Sequence, residues 1–381
     1  MNFECSRGAL ARAVGLASYG LGSRMVMPIL GGMRLSTIGN RLTLETTDLD
    51  RSAQCSVEVF SSTGDATTVL DGGVLRQITE HLPSDERVRI SSSESGTGVR
   101  LLCGATSFDL PVLDANDFPD LPALPEEVVA NLDVASFHRG FELTGFAAFK
   151  ASETTRLSLT GIDLVFSQGT LRMMGCNGHR LASHTTGLTD LQVEIEALVE
   201  AKNLAELDRV LGHAGAQRVE VRHGDGQLFF HTDEATFAVR LVADEFPDFE
   251  RVIPQETREA LTFDRLALLD VLQRAAITAS EDSGAVRFRG QAGDRAITAT
   301  SSSRERGETE DRILVIESPK QDFDIAFRAS YLIDVVRRLD SPNVAFRFQG
   351  DDKACLIEPG NEGIRSSDAG FLYVCMPVHM V

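Results

Sequence analysis

The stretch Cys176-Asn177-Gly178-His179-Arg180-Leu181-Ala182-Ser183-His184 gathers the side chains with the most chemistry to offer. A thiol beside two imidazoles could serve as an activated nucleophile or as the start of a metal site. The spacing argues against both. Two histidines five apart on a strand point to opposite faces, which suits neither a dyad nor shared ligation. The chain also lacks the Gly-x-Ser-x-Gly, Walker and His-Glu-x-x-His patterns that accompany nucleophilic, phosphate-binding and zinc-dependent enzymes. Its six cysteines (Cys5, Cys55, Cys103, Cys176, Cys355 and Cys375) are scattered and form no Cys-x-x-Cys pair. The segment reads more simply as a tight Asn-Gly turn between strands with a buried histidine. We therefore expect no catalysis, no metal and no cofactor.

Cations are the other candidates. The formal net charge is −19, and a mean field of that sign repels a polyanion unless the charge is segregated. Segregation is visible. Arg7, Arg12, Arg76, Arg139, Lys150, Lys202, Arg209, Arg265, Arg274, Arg337 and Arg338 fall on or beside helical stretches. Acid gathers in "DLD" at 48–50, "DANDFPD", "ADEFPDFE" and "ETED". Lys and Arg are also good helix formers on any solvated face, so the pattern alone does not prove a phosphate-binding surface.

The elements that hold these residues come in threes. "ANDFPDL" (115–121) is echoed by "ADEFPDF" (243–249), and Pro119 and Pro247 stand 128 positions apart in a chain of 381. Each third opens with a short strand, a cap-like residue and an amphipathic helix. The first has Ser6 as cap, with Leu10, Ala13, Val14 and Ala17 inward. The second carries the stripe Phe137, Phe141, Thr144 and Ala148. The third has Asp264 as cap, with Leu268, Leu272 and Ala275 inward. A second helix follows in each, at 72–82, 202–214 and 330–340. Alternating stretches between them read as antiparallel strands, and "HGDGQ" as a hairpin turn. A repeat of about 125 residues is the size of a domain rather than of a solenoid unit. Proline-bearing linkers at 121–127 and 252–260 separate the thirds. No apolar run approaches a membrane helix and the start lacks a secretory signal, so we expect a cytoplasmic protein.

Seven stretches in register resemble the bacterial DNA polymerase III beta subunit family, the sliding clamps: "SRMVMPIL" (23–30), "TTDLD" (46–50), "DFPDLP" (117–122), "NGHRLASH" (177–184), "EFPDFERVIP" (245–254), "SYLIDVVRRL" (330–339) and "YVCMPV" (373–378). The resemblance spans essentially the whole chain. It implies an α+β clamp fold of three similar domains (1–122, 127–252 and 258–381), each with two helices backed by antiparallel sheet. Two chains would join head to tail in a ring whose helices line the hole. The implied function is a non-catalytic processivity factor that encircles double-stranded DNA without sequence preference. It would tether DNA polymerase III, through its alpha subunit, and other proteins bearing a clamp-binding motif, and would be opened by a clamp loader.

Arg24 matches a position the family uses on DNA, and in such a ring the cations on or beside the helices, Arg76, Arg139, Lys150, Lys202, Arg209, Arg337 and Arg338, would also face the phosphates. The implied seam of the homodimer holds Phe108, Leu110 and Ile277. The implied peptide-binding pocket is lined by Leu159, Cys176, Gly178, His179, Arg180, Leu181, Pro247, Arg251, Val252, Val374, Met376, Pro377 and Val378, with Arg180 and Arg251 placed to hold acidic or carbonyl groups of the peptide. The chain departs from the family at Cys176-Asn177, where Thr-Asp is usual, and at its end, Met376-Pro377-Val378-His379-Met380-Val381, where Met-Pro-Met-Arg-Leu is usual. These departures give the alternative of a paralogous clamp with an altered pocket, serving a specialised partner or avoiding an inhibitor.

Overall fold

The computed structural model describes residues 1–22, 27–84, 87–93, 98–254, 259–281 and 283–378. The chain forms two compact units, each treated by itself. Unit 1 comprises Met1–Val134 and Asn203–Leu241. Its larger sheet is antiparallel throughout, in the order β10 (Val128–Asp133), β15 (Arg218–Gly224), β16 (Gln227–His231), β17 (Ala235–Arg240), β4 (Arg51–Glu58), β3 (Arg41–Thr47), β2 (Gly32–Ile38), β6 (Ala66–Asp71). Its smaller sheet runs β5 (Ser61–Ser62), β1 (Asn2–Ser6), β7 (Arg87–Ser92), β8 (Gly98–Cys103), β9 (Thr106–Pro111).

Helix α1 (Arg7–Ala17) buries Leu10, Ala13, Val14 and Ala17 as its spacing predicts. It packs on α2 (Gly72–His81) and on β4. Ser6 stands at the N-cap position of α1 but makes no side-chain cap bond, so the expected cap is absent. Asp71 does cap α2, accepting from the Val74 N–H at 2.8 Å. The "HGDGQ" turn is a two-residue hairpin with Asp225 at φ 51° and Gly226 at φ 69°, the left-handed pair that such a turn requires.

Unit 2 comprises Ala135–Lys202 and Val242–Val381. Its larger antiparallel sheet runs β14 (Ile195–Glu200), β11 (Gly161–Ser167), β12 (Thr170–Cys176), β13 (Arg180–Gly187), β25 (Phe371–Cys375), β24 (Cys355–Pro359), β23 (Asn343–Phe348), β18 (Glu259–Asp264). The smaller runs β21 (Gly307–Leu314), β20 (Ala296–Ser303), β19 (Ala285–Gly290), β22 (Phe323–Arg328).

Helix α5 (Arg265–Thr278) is capped by Asp264, which accepts from the Ala267 N–H at 2.8 Å, and packs on α6 (Ala329–Arg338). Beneath them Phe263 meets Phe346 edge to face, with ring centroids 5.3 Å apart. Helix α3 (Val134–Thr144) buries Phe137, Leu143 and Thr144. Phe141 is only half-buried and the helix ends before Ala148, so the expected stripe is corrected toward Leu143. The remaining helix, α4 (Ala201–Ala214), buries Leu204, Leu207 and Leu211, the face its spacing predicts.

The three repeats are thus joined through shared sheets. The central repeat contributes β10, β15, β16 and β17 to one large sheet and β11, β12, β13 and β14 to the other. Each large sheet is closed by the same kind of joint. In one, β17 pairs with β4, with Phe237 opposite Ala53. In the other, β25 pairs with β13, with Tyr373 opposite Ala182.

Candidate functional site

An apolar cavity of about 200 Å³ lies in unit 2. Its floor is the buried cluster Leu159, Cys176, Leu181 and Val374. Gly178, His179, Arg180, Pro247, Val252 and Met376 complete it, together with Arg156, Asp248 and Phe249. Val252 and Met376 are exposed at its mouth. It is smaller than the roughly 300–1,000 Å³ of typical small-molecule sites and suits one or two apolar side chains of an extended segment.

Ten of the thirteen expected pocket residues line this one cavity. Arg251 does not; its side chain is 86% exposed and pairs with Asp248 at 2.8 Å. Pro377 and Val378 do not either, and the Val378 N–H donates to the Ala326 carbonyl at 2.8 Å, which clips the tail to β22. Sequence reasoning missed Arg156, Asp248 and Phe249. The last two were visible in the "FPDF" echo, whereas Arg156 left no signal.

The β12–β13 turn shapes the rim. The Asn177 side-chain oxygen accepts from the His179 and Arg180 N–H groups at 3.1 and 3.0 Å, and Gly178 sits at φ 80°. The Met376 N–H donates to the His179 carbonyl at 2.9 Å, which holds the chain end against this turn. The turn carrying Leu159 is held by the Asp244 carboxylate, which accepts from the Ser158 N–H at 3.1 Å; hydrogen bonds from the Ser158 side chain and from the Glu245 and Ser158 N–H groups keep its pKa below the usual range.

Arg180 is held within the protein, although its buried Nε has no hydrogen-bond partner among the described residues. Its guanidinium donates to Asp334 at 2.7 Å and to the Phe146 carbonyl at 2.5 Å, and lies over the Tyr331 ring at 4.4 Å. These contacts make it a brace of the pocket wall, a role the sequence did not suggest.

The thiol and imidazole chemistry finds no support in the geometry. Burial pushes the Cys176 thiol up to about 11, so it stays protonated and unreactive at neutral pH. His179 lies in the turn rather than on a strand, and His184 is buried on β13 with its basicity lowered by burial. Below the pocket, Asp163 is buried with Oδ1 unpartnered, and burial raises it to about 7.

The expected DNA-facing cations divide into two kinds. Arg76 on α2, Arg209 on α4 and Lys202 are about half or more exposed, in surface ion pairs with Glu80, Glu206 and Glu200. Lys150 and Arg337 are exposed. Arg139 is different: it donates to Asp368, Glu142 and the Arg338 carbonyl, and only 13% of its side chain is exposed. Arg338 donates to the Asp334 carbonyl and lies over Phe146 at 4.4 Å. These two are internal braces. Arg24 and His379 lie outside the described residues. At the expected seam, Phe108 and Leu110 alternate with exposed positions on β9, an edge strand, and Ile277 on α5 is 68% exposed.

Comparison with known proteins decides the family. Residues 1–122, 131–248 and 250–378 match, in order, the N-terminal, central and C-terminal domains of the DNA polymerase III beta subunit. The chain belongs to the DNA polymerase III beta subunit family.

Sliding clamps of this family align end to end with the chain. The beta sliding clamp of Pseudomonas putida is 29% identical over 387 residues, covering 100% of both chains. That of Escherichia coli is 27% identical over 380 residues with the same coverage. A crystal structure of the Pseudomonas aeruginosa beta subunit superposes with a TM-score of 0.90 at 26% identity, covering 100% of each chain. The function is that of the family: a DNA sliding clamp, a non-catalytic processivity factor of replication. The main reading of the sequence stands over the specialised paralogue. No helix among the described residues is long and apolar enough to cross a membrane.

Proposed function

We propose that two copies of this chain close head to tail into a ring around duplex DNA in the cytoplasm. Arg76, Lys150, Lys202, Arg209 and Arg337 face the phosphates, and the unit 2 cavity receives an extended apolar peptide from DNA polymerase III alpha and other partners, among them a clamp loader. The observation that carries this reading is the cavity itself. Apolar residues distant in sequence (Leu159, Leu181, Val374 and Met376) converge on one crevice. Burying a partner's Leu or Phe there contributes about 1.5–3 kcal/mol per side chain.

The open cations suit a sliding contact. Phosphate contacts carry no sequence information, and those paired with a neighbouring carboxylate bind weakly enough to release. Confinement then holds the DNA, so the net charge of −19 is no obstacle. The test is primer extension on a long primed circle, with DNA polymerase III, a clamp loader and this chain as the only clamp. Products much longer than those made without the chain are expected from each binding event. Short, distributive products, unchanged by adding the chain, would overturn the proposal.

A further inference from the structure

Each unit closes its large sheet by one joint and leaves its small sheet open. In unit 1 one edge of that sheet is β9, with β5 at the other; in unit 2 one edge is β21, with β22 at the other. Edges β9 and β21 are the third pair of the same series. Cross-strand neighbours fix the equivalences. Phe108 faces Leu101 on β8 as Phe237 faces Phe230 and as Tyr373 faces Ile357. Thr309 faces Ser301 on β20 as Ala53 faces Thr46 and as Ala182 faces Gly175. The closed joints place Phe237 on Ala53 and Tyr373 on Ala182. In the same register Phe108 of one copy meets Thr309 of a second.

That register juxtaposes acids. At the next position the closed joints hold Ala238 opposite Ser52 and Val374 opposite Leu181, all uncharged. The open edges bring Asp109 opposite Glu308, with Glu310 diagonal to it. Thr309 and Asp311 bond to Thr278 and Arg274 of α5, so Glu308 and Glu310 point away from the helices, where both are exposed. Asp109 is exposed on β9. The cations in reach are partly spent: Arg100 pairs with Asp109 at 3.4 Å and Arg306 pairs with Glu281, while Arg312 is exposed on β21.

Resting on the ring reading above, we propose that the seam between copies is self-repelling on the face away from the helices, through Asp109 against Glu308 and Glu310. Like charges directly opposite in a ladder destabilise it, and a ring of two chains has this seam twice. Added salt screens the pairs, so the dimer tightens as ionic strength rises.

Two experiments on the full chain test this. Asp109→Arg should tighten the dimer by about tenfold or more at low salt, measured by sedimentation, and flatten its salt dependence. Asp352→Arg, the same charge change on an exposed loop, serves as the control. Paired cysteines Ser107→Cys with Glu310→Cys should oxidise to a covalently closed dimer, since directly opposed residues fall within disulfide reach. Ser107→Cys with Arg312→Cys, two positions out of register, should not. The native cysteines are all buried and stay out of the reaction. An Asp109→Arg dimer no tighter than the Asp352→Arg dimer, or cross-linking that prefers the shifted pair, overturns the self-repelling seam and leaves the ring standing. A chain that stays monomeric in every variant removes both.

Discussion

The turn at 47–51 and the turn at 176–180 are the same piece of backbone used twice. In the first, Asp48 accepts from the Asp50 and Arg51 N–H groups at 3.1 and 2.7 Å; in the second, Asn177 accepts from His179 and Arg180. Leu49 at φ 75° stands where Gly178 stands at φ 80°. Arg240 donates its N–H to the Asp50 carbonyl just as Met376 donates to that of His179. Only the side chains differ. Thr47, Leu49, Ser52, Ala238 and Arg240 around the first turn answer to Cys176, Gly178, Leu181, Val374 and Met376 at the pocket. The second turn differs from the first in carrying apolar Leu181 and Met376 where the first has Ser52 and Arg240, and glycine in place of leucine at the left-handed position. The backbone supplies the crevice, and five residues decide whether it is greasy and open.

The largest effect should come from reversing that exchange. Leu181→Ser with Met376→Arg rebuilds the chemistry around the first turn and should weaken binding of a Leu/Phe-bearing clamp-binding peptide by about 100-fold, from two lost apolar contacts. Calorimetric titration of the variant checks it, with sedimentation to show that the fold and dimer survive. An unchanged affinity would mean that the peptide sits elsewhere.

A second contrast lies under the two turns. In the first repeat Arg34 faces Glu45 across the ladder and pairs with it at 2.7 Å. Its counterpart in the second repeat is Asp163, which faces Met174 and has no partner for Oδ1. The folded-state value of about 7 lies above the ordinary 3.8, with burial the main cause and Glu196 adding to it. The acid is therefore harmless below about pH 4, where folded and unfolded states are both protonated, and costs progressively more as pH rises toward 7. Asp163→Asn should stabilise the fold by about 1–4 kcal/mol at pH 8 and change little at pH 4, read from urea midpoints at both. Equal effects at the two values would contradict a buried titrating acid.

The smallest contrast is the turn oxygen itself. Asp48→Ala and Asn177→Ala each remove two side-chain-to-backbone bonds and should each cost about 0.5–2 kcal/mol in thermal or urea unfolding. Only Asn177→Ala should also lower peptide affinity, because only that turn borders the pocket.

Short-range features were legible in the sequence and long-range ones were not. The helix faces at Leu10, Leu204 and Leu268, the Asp264 cap and the Asp225-Gly226 turn depend on neighbours a few positions away, and all are present. Ser6 fails as a cap, although its type and place are right. Arg139 and Arg180 read as open cations because their partners, Asp368 and Asp334, lie far along the chain. The Phe-Pro-Asp echo shows that a unit repeats, but it does not show that the central repeat divides its strands between two sheets. Pocket residues came from family likeness. Their convergence rests on the pairing of β13 with β25, and no local pattern encodes it.

The central claim is that topology, not affinity, holds this protein on DNA. The most direct measurement is to load the labelled chain onto a nicked circular plasmid with a clamp loader, isolate the complex, and cut the circle once with a restriction enzyme. The account predicts stable retention on the circle at moderate salt and rapid release once ends exist. Equal retention on circular and linear DNA would contradict it.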